Sequence, residues 1–308
     1  MKVLVTGASG FIGSQVTRQI VHEGHETWAL TLPGESTTRL KDILDRLTVV
    51  PLDLCETKQV RELVRQVCPD CTIHLAWYAV PGKYWNAPEN LDCVSMTLAL
   101  ARALAEVKCS RLVAAGSCAE YDWDYGFLSE GVTPLKPRGL YGTCKNATRQ
   151  ALQSFCKEAA MEFAWTRFFF LYGPGEPKDR LVSSVVTSLL SGQEARCTEG
   201  GQIRDFLHVR DLGAAVWAVA RSSLSGPVNI GSGIPVSVRE IVEIIAKLIG
   251  GPGKLQLGAV QDSSEQTPMI LADVRKLKRE TGWTPSFDLE EGLRDTIAYW
   301  RGLQTDSL

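Results

Sequence analysis

A tyrosine and a lysine four residues apart are the side chains of this sequence best suited to acid–base chemistry. Tyr141 and Lys145 lie in the segment YGTCK, and a spacing of four places two side chains on one face of a helix. A cation beside a phenol favours the phenolate, so we expect Tyr141 to act as an acid or base near neutral pH. The same spacing also occurs by chance on solvated helices. Its meaning comes from its position about two dozen residues after Ser117, beyond the fifth predicted strand.

A glycine-rich turn follows the first predicted strand and opens a helix. Gly7 permits the tight turn, Gly10 allows the backbone to approach a diphosphate, and Gly13 lets the helix pack closely on the strand. The diphosphate of a dinucleotide would then lie at the helix N-terminus. The residues predicted to form this binding loop are Gly7, Ser9, Gly10, Phe11, Ile12 and Gly13.

The end of the second predicted strand bears on the choice of dinucleotide. An acidic residue there would bind the ribose hydroxyls, and a basic residue would accept a 2′-phosphate. Thr31 occupies the position of the acid, and Arg39 follows it. We expect no carboxylate to repel a phosphate here, so we predict NADP(H), with NAD(H) as the alternative. Asp53, at the end of the third predicted strand, has two equal interpretations: a contact with the adenine amino group or a helix N-cap.

The elements that must position these residues alternate between short β-branched runs and helical stretches. This alternation predicts an α/β protein with a Rossmann-type, doubly wound parallel sheet over residues 1–172. The last strand of this series is predicted over Ala164–Leu171. Glycine and proline punctuation after it indicates a smaller C-terminal substrate-binding lobe over residues 173–308. A segment near 205–232 is expected to return to the sheet.

Composition excludes several classes of function. A chain of 308 residues suggests two lobes with a ligand between them. The formal net charge of -2 does not indicate a nucleic-acid partner, and the apolar stretches are too short to span a membrane. The nine scattered cysteines indicate a reduced, cytoplasmic protein. Cys68 and Cys71 are interpreted as packed thiols, the four histidines show no ligand spacing, and no metal is predicted.

Further motifs accompany the glycine loop and the Tyr141–Lys145 pair. They are Asp53-Leu54, His74-Leu75-Ala76, Ser117 four residues before Tyr121, Arg167 through Tyr172-Gly173-Pro174, the segment RDFLHVRDL from Arg204, and Asn229–Gly233. With these motifs, nearly the whole sequence resembles the extended short-chain dehydrogenase/reductase family. The resemblance is strongest to its nucleotide-sugar branch of epimerases, ketoreductases and dehydratases.

The resemblance implies roles for individual residues. Tyr141 would be the proton donor or acceptor, Lys145 would lower its pKa and hold the nicotinamide ribose, and Ser117 would hydrogen-bond the reacting oxygen. Arg204 would bind the substrate diphosphate, although an Arg-Asp pair in a loop is more often a surface ion pair. The remaining implied contacts are Leu54, Leu75 and Ala76 with the cofactor and Lys83 with the substrate. Two alanine-rich helices, near residues 92–105 and 147–160, imply a homodimer.

Departures from the family pattern narrow the reaction. Dehydratases of the family carry an Asp-Glu pair after the serine or threonine, whereas this chain has Cys118 and Ala119, which disfavours elimination. Cys118 is interpreted as a packed thiol. Phe170 replaces an asparagine that contacts the sugar in many relatives. The aromatic loop Trp77–Trp85 has two equal interpretations, as a wall of the sugar pocket or as core or dimer packing.

Two enzymatic hypotheses and one other remain open. The first is reduction of a nucleotide-linked 4-keto-hexose or 4-keto-deoxyhexose, and it is favoured because the acid is missing at Thr31. The alternative is a nucleotide-sugar 4-epimerase that keeps NAD tightly bound. A remote alternative is a dinucleotide-sensing module without catalysis, which the joint presence of Ser117, Tyr141 and Lys145 disfavours.

Overall fold

The computed structural model describes residues 1–261 and 267–305. Its strands are β1 (Lys2–Thr6), β2 (Glu26–Thr31), β3 (Thr48–Pro51), β4 (Cys71–His74), β5 (Arg111–Ser117), β6 (Phe127–Leu128), β7 (Glu162–Phe168), β8 (Phe170–Tyr172), β9 (Ala195–Arg196), β10 (Ile203–His208), β11 (Gly226–Ile230), β12 (Pro235–Ser237), β13 (Leu255–Gln256) and β14 (Met269–Ala272). Its α-helices are α1 (Phe11–His22), α2 (Thr57–Val67), α3 (Glu89–Glu106), α4 (Gly139–Glu158), α5 (Leu181–Leu190), α6 (Val209–Ala220), α7 (Val238–Ile249), α8 (Arg275–Thr281) and α9 (Leu289–Thr305). Among the described residues, no helix is long and apolar enough to cross a bilayer.

A parallel sheet of seven strands forms the larger lobe. Its order is β11-β7-β5-β4-β1-β2-β3, and each neighbouring pair is parallel. Side chains of α1 and α6, such as Ile20 and Val216, are fully buried against one face. Side chains of α2, α3 and α4, such as Leu100 and Leu152, are fully buried against the other. Helices on both faces confirm the predicted doubly wound α/β class.

The smaller lobe is built around a mixed sheet of β12, β10, β14 and β6, with β8 paired to β10. Helices α5, α7 and α9 enclose its apolar core. The chain passes between the lobes more than once, because β11 and α6 belong to the larger lobe although they follow residue 172.

Two local expectations differ from the structure. The single strand predicted over Ala164–Leu171 is two strands, because β7 ends at Phe168 in the large sheet and the chain then crosses to pair β8 with β10. The Arg204–Asp205 pair lies in β10 and not in a surface loop. Since successive side chains of a strand point to opposite faces, Asp205 is fully buried and accepts the backbone N–H groups of Ser232, Gly233 and Ala272.

Helix α6 should contribute to the stability of the larger lobe, although it follows residue 172 in the chain. Val216 is fully buried between α6, α1 and the sheet, whereas Val132 is 81% exposed. We expect Val216→Ala to lower the free energy of unfolding by about 2 kcal/mol, from lost burial and the cavity left behind. Val132→Ala should change it by less than about 0.5 kcal/mol. Urea denaturation measures both, and equal effects would contradict this placement of α6.

Candidate active site

The carboxyl ends of the parallel strands open into one cleft of about 1290 Å³ between the two lobes. Ligands of α/β folds bind at this edge of the sheet. The cleft is lined by fourteen of the residues predicted from the sequence: Gly7, Gly10, Phe11, Ile12, Gly13, Thr31, Arg39, Asp53, Leu54, Leu75, Ala76, Ser117, Tyr141 and Arg204. Ser9, Lys83 and Lys145 are not among the residues that line it.

The glycine loop has the shape that a dinucleotide diphosphate requires. A Cβ atom at Gly13 would lie 2.0 Å from the carbonyl oxygen of Gly7, so only glycine lets α1 pack this closely on the loop. Gly10 is the N-cap of α1 and lines the cleft without a side chain. The first-turn N–H groups of α1 therefore remain accessible to an anionic ligand. These residues fit a dinucleotide.

A carboxylate lines the same cleft as Thr31, so the expectation that none would be there is wrong. A turn closed by the Glu35 N–H and the Leu32 carbonyl folds the chain back after β2. Glu35 then lines the cleft and accepts a 2.7 Å hydrogen bond from the Ser9 hydroxyl. The guanidinium of Arg39 is engaged elsewhere, because its Nε and Nη2 donate to the carbonyl oxygen of Gly175.

The structure excludes one of the two interpretations of Asp53 and places Lys83 away from its expected position. Asp53 does not cap α2, whose N-cap is Glu56; its Oδ1 accepts the N–H of Cys55 while the residue lines the cleft. Lys83 is exposed and lies outside the cleft. A turn from Val80 directs the chain so that the two residues after Lys83 face the cleft in its place.

The catalytic candidates come from two adjacent elements. Ser117 is the last residue of β5, and Tyr141 lies in the first turn of α4, where its N–H binds the carbonyl of Trp85. Lys145 follows one turn later and is almost fully buried. Its Nζ donates to the carbonyl oxygen of Ala115 at 2.8 Å and lies 5.9 Å from the centre of the Tyr141 ring. Burial lowers the pKa of Lys145 to about 7.

The protonation of Tyr141 differs from the sequence expectation. Burial raises the pKa of Tyr141 well above its ordinary value, and a hydrogen bond with Ser117 acts in the opposite direction. Desolvation is the larger effect because a buried phenolate loses its hydration. Tyr141 therefore carries its proton at neutral pH.

Aromatic rings surround Tyr141. Tyr84, Trp85 and Trp77 contact it edge-on, with ring centres 4.8, 5.9 and 6.5 Å away. All three line the cleft, so the loop that contains them forms a wall of the site. Trp123 extends the same wall through an edge contact with Trp85. An apolar, polarisable wall of this kind can stack against a sugar ring.

The remaining polar groups of the sugar side are fewer. Cys118 is buried, and this burial raises the pKa of its thiol to about 12, so it holds its proton as a packed thiol would. Arg204 reaches the cleft from β10, with Nη1 held by the carbonyl oxygens of Ile203 and Thr267. This anchorage fixes the guanidinium while leaving its other N–H groups for an anion.

Three carboxylates near the cleft were missed from the sequence. Glu35 follows a Pro-Gly turn, a signal that the chain reverses there. Glu120 follows Ser117 at the Ser-x-x-Glu spacing of a capping box, and the structure contains that box. Glu176 has no sequence signal. It is 4% exposed, accepts the N–H of Ser183, and its burial raises its pKa to about 8.

The chain is similar to proteins whose names specify nucleotide-sugar chemistry. Residues 3–231 match the family described as the NAD dependent epimerase/dehydratase family. UDP-glucuronic acid decarboxylase 1 of Xenopus tropicalis is 29% identical over 97% of this chain and 72% of its own length. The dTDP-6-deoxy-L-talose 4-dehydrogenase (NAD(+)) of Aggregatibacter actinomycetemcomitans is 29% identical over 79% of this chain and 88% of its own. The solved structure of MoeE5 in complex with UDP-glucuronic acid and NAD is 30% identical, covers 100% of both chains and has a TM-score of 0.83.

Glu176 should make stability fall as pH rises. Its pKa is about 8 in the folded chain against 4.5 ordinarily, so the folded state binds its proton more tightly than the unfolded chain does. Stability is therefore lost between these two values, by on the order of a few kcal/mol. We expect Glu176→Gln to be more stable than the unsubstituted protein at pH 8, with a smaller difference at pH 5.

Urea denaturation at the two pH values measures this difference. Asp179→Asn, an exposed substitution in the same cleft, is the control and should show no such trend. A Glu176→Gln effect independent of pH would contradict the burial of an uncharged Glu176.

Proposed function

The chain belongs to the NAD dependent epimerase/dehydratase family, and from this premise we propose that it reduces the 4-keto group of a nucleotide-linked deoxyhexose. The observation that carries the proposal is the half-buried Tyr141, which holds its proton beside Ser117 in an aromatic cleft. Reduction of a ketone requires a proton donor at the carbonyl oxygen, and Tyr141 is in the protonation state that this requires.

Tyr141, Ser117 and Lys145 each have a separate role in this reaction. A bound nicotinamide dinucleotide supplies the hydride. Tyr141 gives its proton to the C4 oxygen, and the Ser117 hydroxyl hydrogen-bonds the same oxygen as charge develops on it. Lys145, when protonated, stabilises the phenolate that Tyr141 leaves behind. The aromatic wall excludes water, which strengthens each of these interactions.

The acid–base groups that elimination of water and proton abstraction from carbon require are missing at the corresponding positions. Ala119 has no proton to give or take, and the Cys118 thiol holds its own because of its burial. Neither residue supports elimination of water or proton abstraction from carbon. A single proton-transfer centre at Tyr141 is sufficient for a ketoreductase.

The substrate side of the cleft supports a nucleotide-linked deoxy sugar. Arg204 offers a fixed guanidinium to the diphosphate. Phe170, which replaces an asparagine that contacts the sugar in many relatives, lines the cleft together with Phe169. Apolar side chains favour a methyl group over a hydroxyl, because an unpaired hydroxyl is costly to bury. One similar protein is named a dTDP-6-deoxy-L-talose 4-dehydrogenase, and this name also supports a nucleotide-linked deoxy sugar as the substrate.

For the cofactor, we propose NAD(H) in place of the NADP(H) expected from the sequence. That expectation depended on the absence of a carboxylate, and Glu35 supplies one. A carboxylate accepts hydrogen bonds from ribose hydroxyls and repels a 2′-phosphate. Arg39, the candidate phosphate ligand, donates from Nε and Nη2 to the carbonyl oxygen of Gly175. NAD is also the dinucleotide named for two of the similar proteins.

A nucleotide-sugar 4-epimerase with tightly bound NAD is the second candidate. Glu35 favours it, since an epimerase returns the hydride to its substrate and retains NAD throughout. A dinucleotide sensor without catalysis is a more distant candidate, because Ser117 and Tyr141 line the same cleft.

We also propose a cytoplasmic homodimer formed through α3 and α4, which pack side by side. Leu91 on α3 is 56% exposed and available to such an interface.

Tyr141→Phe should abolish reduction while leaving cofactor binding intact. With a nucleotide-linked 4-keto-6-deoxyhexose and NADH, we expect the unsubstituted protein to consume NADH stoichiometrically, as absorbance at 340 nm reports. The variant keeps the ring but has no proton to give, so kcat should fall by at least about 100-fold.

Tyr125→Phe, a change at an exposed tyrosine, is the control and should retain full activity. Undiminished turnover by Tyr141→Phe would overturn its assignment as proton donor. Interconversion of the two C4-hydroxyl epimers of a nucleotide-linked sugar, with no net change in absorbance at 340 nm, would establish the epimerase in place of the reductase.

Glu35 should discriminate between the two dinucleotides in binding alone. By isothermal titration calorimetry without a sugar, we expect NAD⁺ to bind at least about tenfold more tightly than NADP⁺, which corresponds to about 1.4 kcal/mol of repulsion. Glu35→Gln should bring the two dissociation constants closer together, because it weakens the binding of NAD⁺ and strengthens the binding of NADP⁺. Glu26→Gln, at an exposed glutamate of β2 bonded to Trp28, should leave the ratio unchanged. Tighter binding of NADP⁺ by the unsubstituted protein would refute the proposal.

A further inference from the structure

A carboxylate with no access to solvent lies directly beneath the catalytic edge of β5. Glu120 is 0% exposed and accepts three hydrogen bonds. Its Oε1 accepts the backbone N–H of Ser117 and the indole N–H of Trp165, each at 2.8 Å. Its Oε2 accepts the Nε–H of Arg167 at 2.9 Å. A buried charge is tolerated only when it is paired and hydrogen-bonded in this way.

The bond to the Ser117 N–H fixes the residue that must meet the substrate. Ser117 is extended, at φ -150° and ψ 149°, and its hydroxyl oxygen accepts the N–H of Ala119 at 3.1 Å. With that lone pair occupied, the hydroxyl proton is free to point toward Tyr141 and the reacting oxygen. The close approach also needs Gly116, since a Cβ there would lie 2.7 Å from Glu120 Oε1.

The other end of the network is anchored far from the cleft. Arg167 donates to the Tyr121 hydroxyl, which donates to Asn229 of β11, both at 2.8 Å. Asn229 in turn donates to the carbonyl oxygen of Leu128 in the smaller lobe. Glu120 is thus held from below by a chain of bonds that leaves its carboxylate little freedom to move.

We propose that Glu120 is a positioning residue for catalysis, which holds the backbone of Ser117 so that its hydroxyl meets the reacting oxygen beside Tyr141. The proposal rests on the hydride-transfer function proposed above. Glu120 touches neither substrate nor cofactor, and its hydrogen bond acts on the site through Ser117. Its charge also acts on Lys145, whose pKa is lowered by burial and raised by Cys93 and Glu120.

A matched pair of double variants separates positioning from stability. Glu120→Gln with Arg167→Met retains an oxygen for the Ser117 N–H and removes the nearer of the two cations at Oε2, the other being Arg149 at 4.0 Å. Glu120→Leu with Arg167→Met has similar volume and no acceptor. We expect the first to keep most of its kcat, and the second to lose about 100-fold in kcat, with KM and the Kd of NAD⁺ unchanged in both.

Two further variants serve as controls for this experiment. Trp165→Phe removes a bond to Glu120 without touching Ser117, and it should lower the melting temperature while keeping kcat. Glu120→Asp makes the comparison again if the leucine variant does not fold, because the shorter side chain keeps its charge beside Arg167 but withdraws from the Ser117 N–H. It should also lower kcat at constant KM.

Ser117→Ala distinguishes the two possible failures. If Ser117→Ala retains kcat, the proposed function is wrong in its use of Ser117. If Ser117→Ala loses kcat while Glu120→Asp and the leucine variant retain theirs, the positioning role is wrong and the function stands. If both double variants show the same fall in kcat, the same rise in KM and the same weakening of NAD⁺ binding, the positioning role is also wrong. That result would mean that Glu120 and Arg167 are a merely structural pair.

Discussion

The buried carboxylate of Glu120 is the interaction on which the rest of the site depends. It binds the last residue of β5 from below and pairs with Arg167 of β7, and that pair continues through Tyr121 to Asn229. One charge removed from water thus connects two neighbouring strands of the large sheet with the smaller lobe. Breaking such a pair on one side leaves an uncompensated charge, so its members must be retained together.

Burial also decides the chemistry on the other side of Ser117. The same desolvation that keeps the proton on Tyr141 removes part of the charge from Lys145. The aromatic wall formed by the 77–85 loop is the cause of much of this burial, because its rings contact Tyr141 directly. A site arranged in this way holds a protonated phenol beside the Ser117 hydroxyl.

Much of this architecture can be predicted from the sequence, because periodicity and glycine spacing act locally. The glycine loop, the helical register of Tyr141 and Lys145, and the strand ending at Ser117 all depend on neighbours within a few residues. What fails depends on contacts that are distant along the chain. The burial of Tyr141 comes from a loop about sixty residues earlier, and Glu35 reaches Ser9 only through a reversal after β2. The interpretation of Thr31 considered one position and not the turn after it, which places Glu35 in the same cleft.

The central claim is that hydride passes to C4 of a nucleotide-linked sugar at Tyr141. A single turnover with NADH that carries deuterium at the transferred position of nicotinamide C4 tests this claim most directly. The sugar product is then examined by mass spectrometry and NMR. The account predicts one deuterium at C4 of the sugar and one equivalent of NAD⁺ released. An unlabelled sugar product, formed while the deuterium remains on the nucleotide, would contradict it.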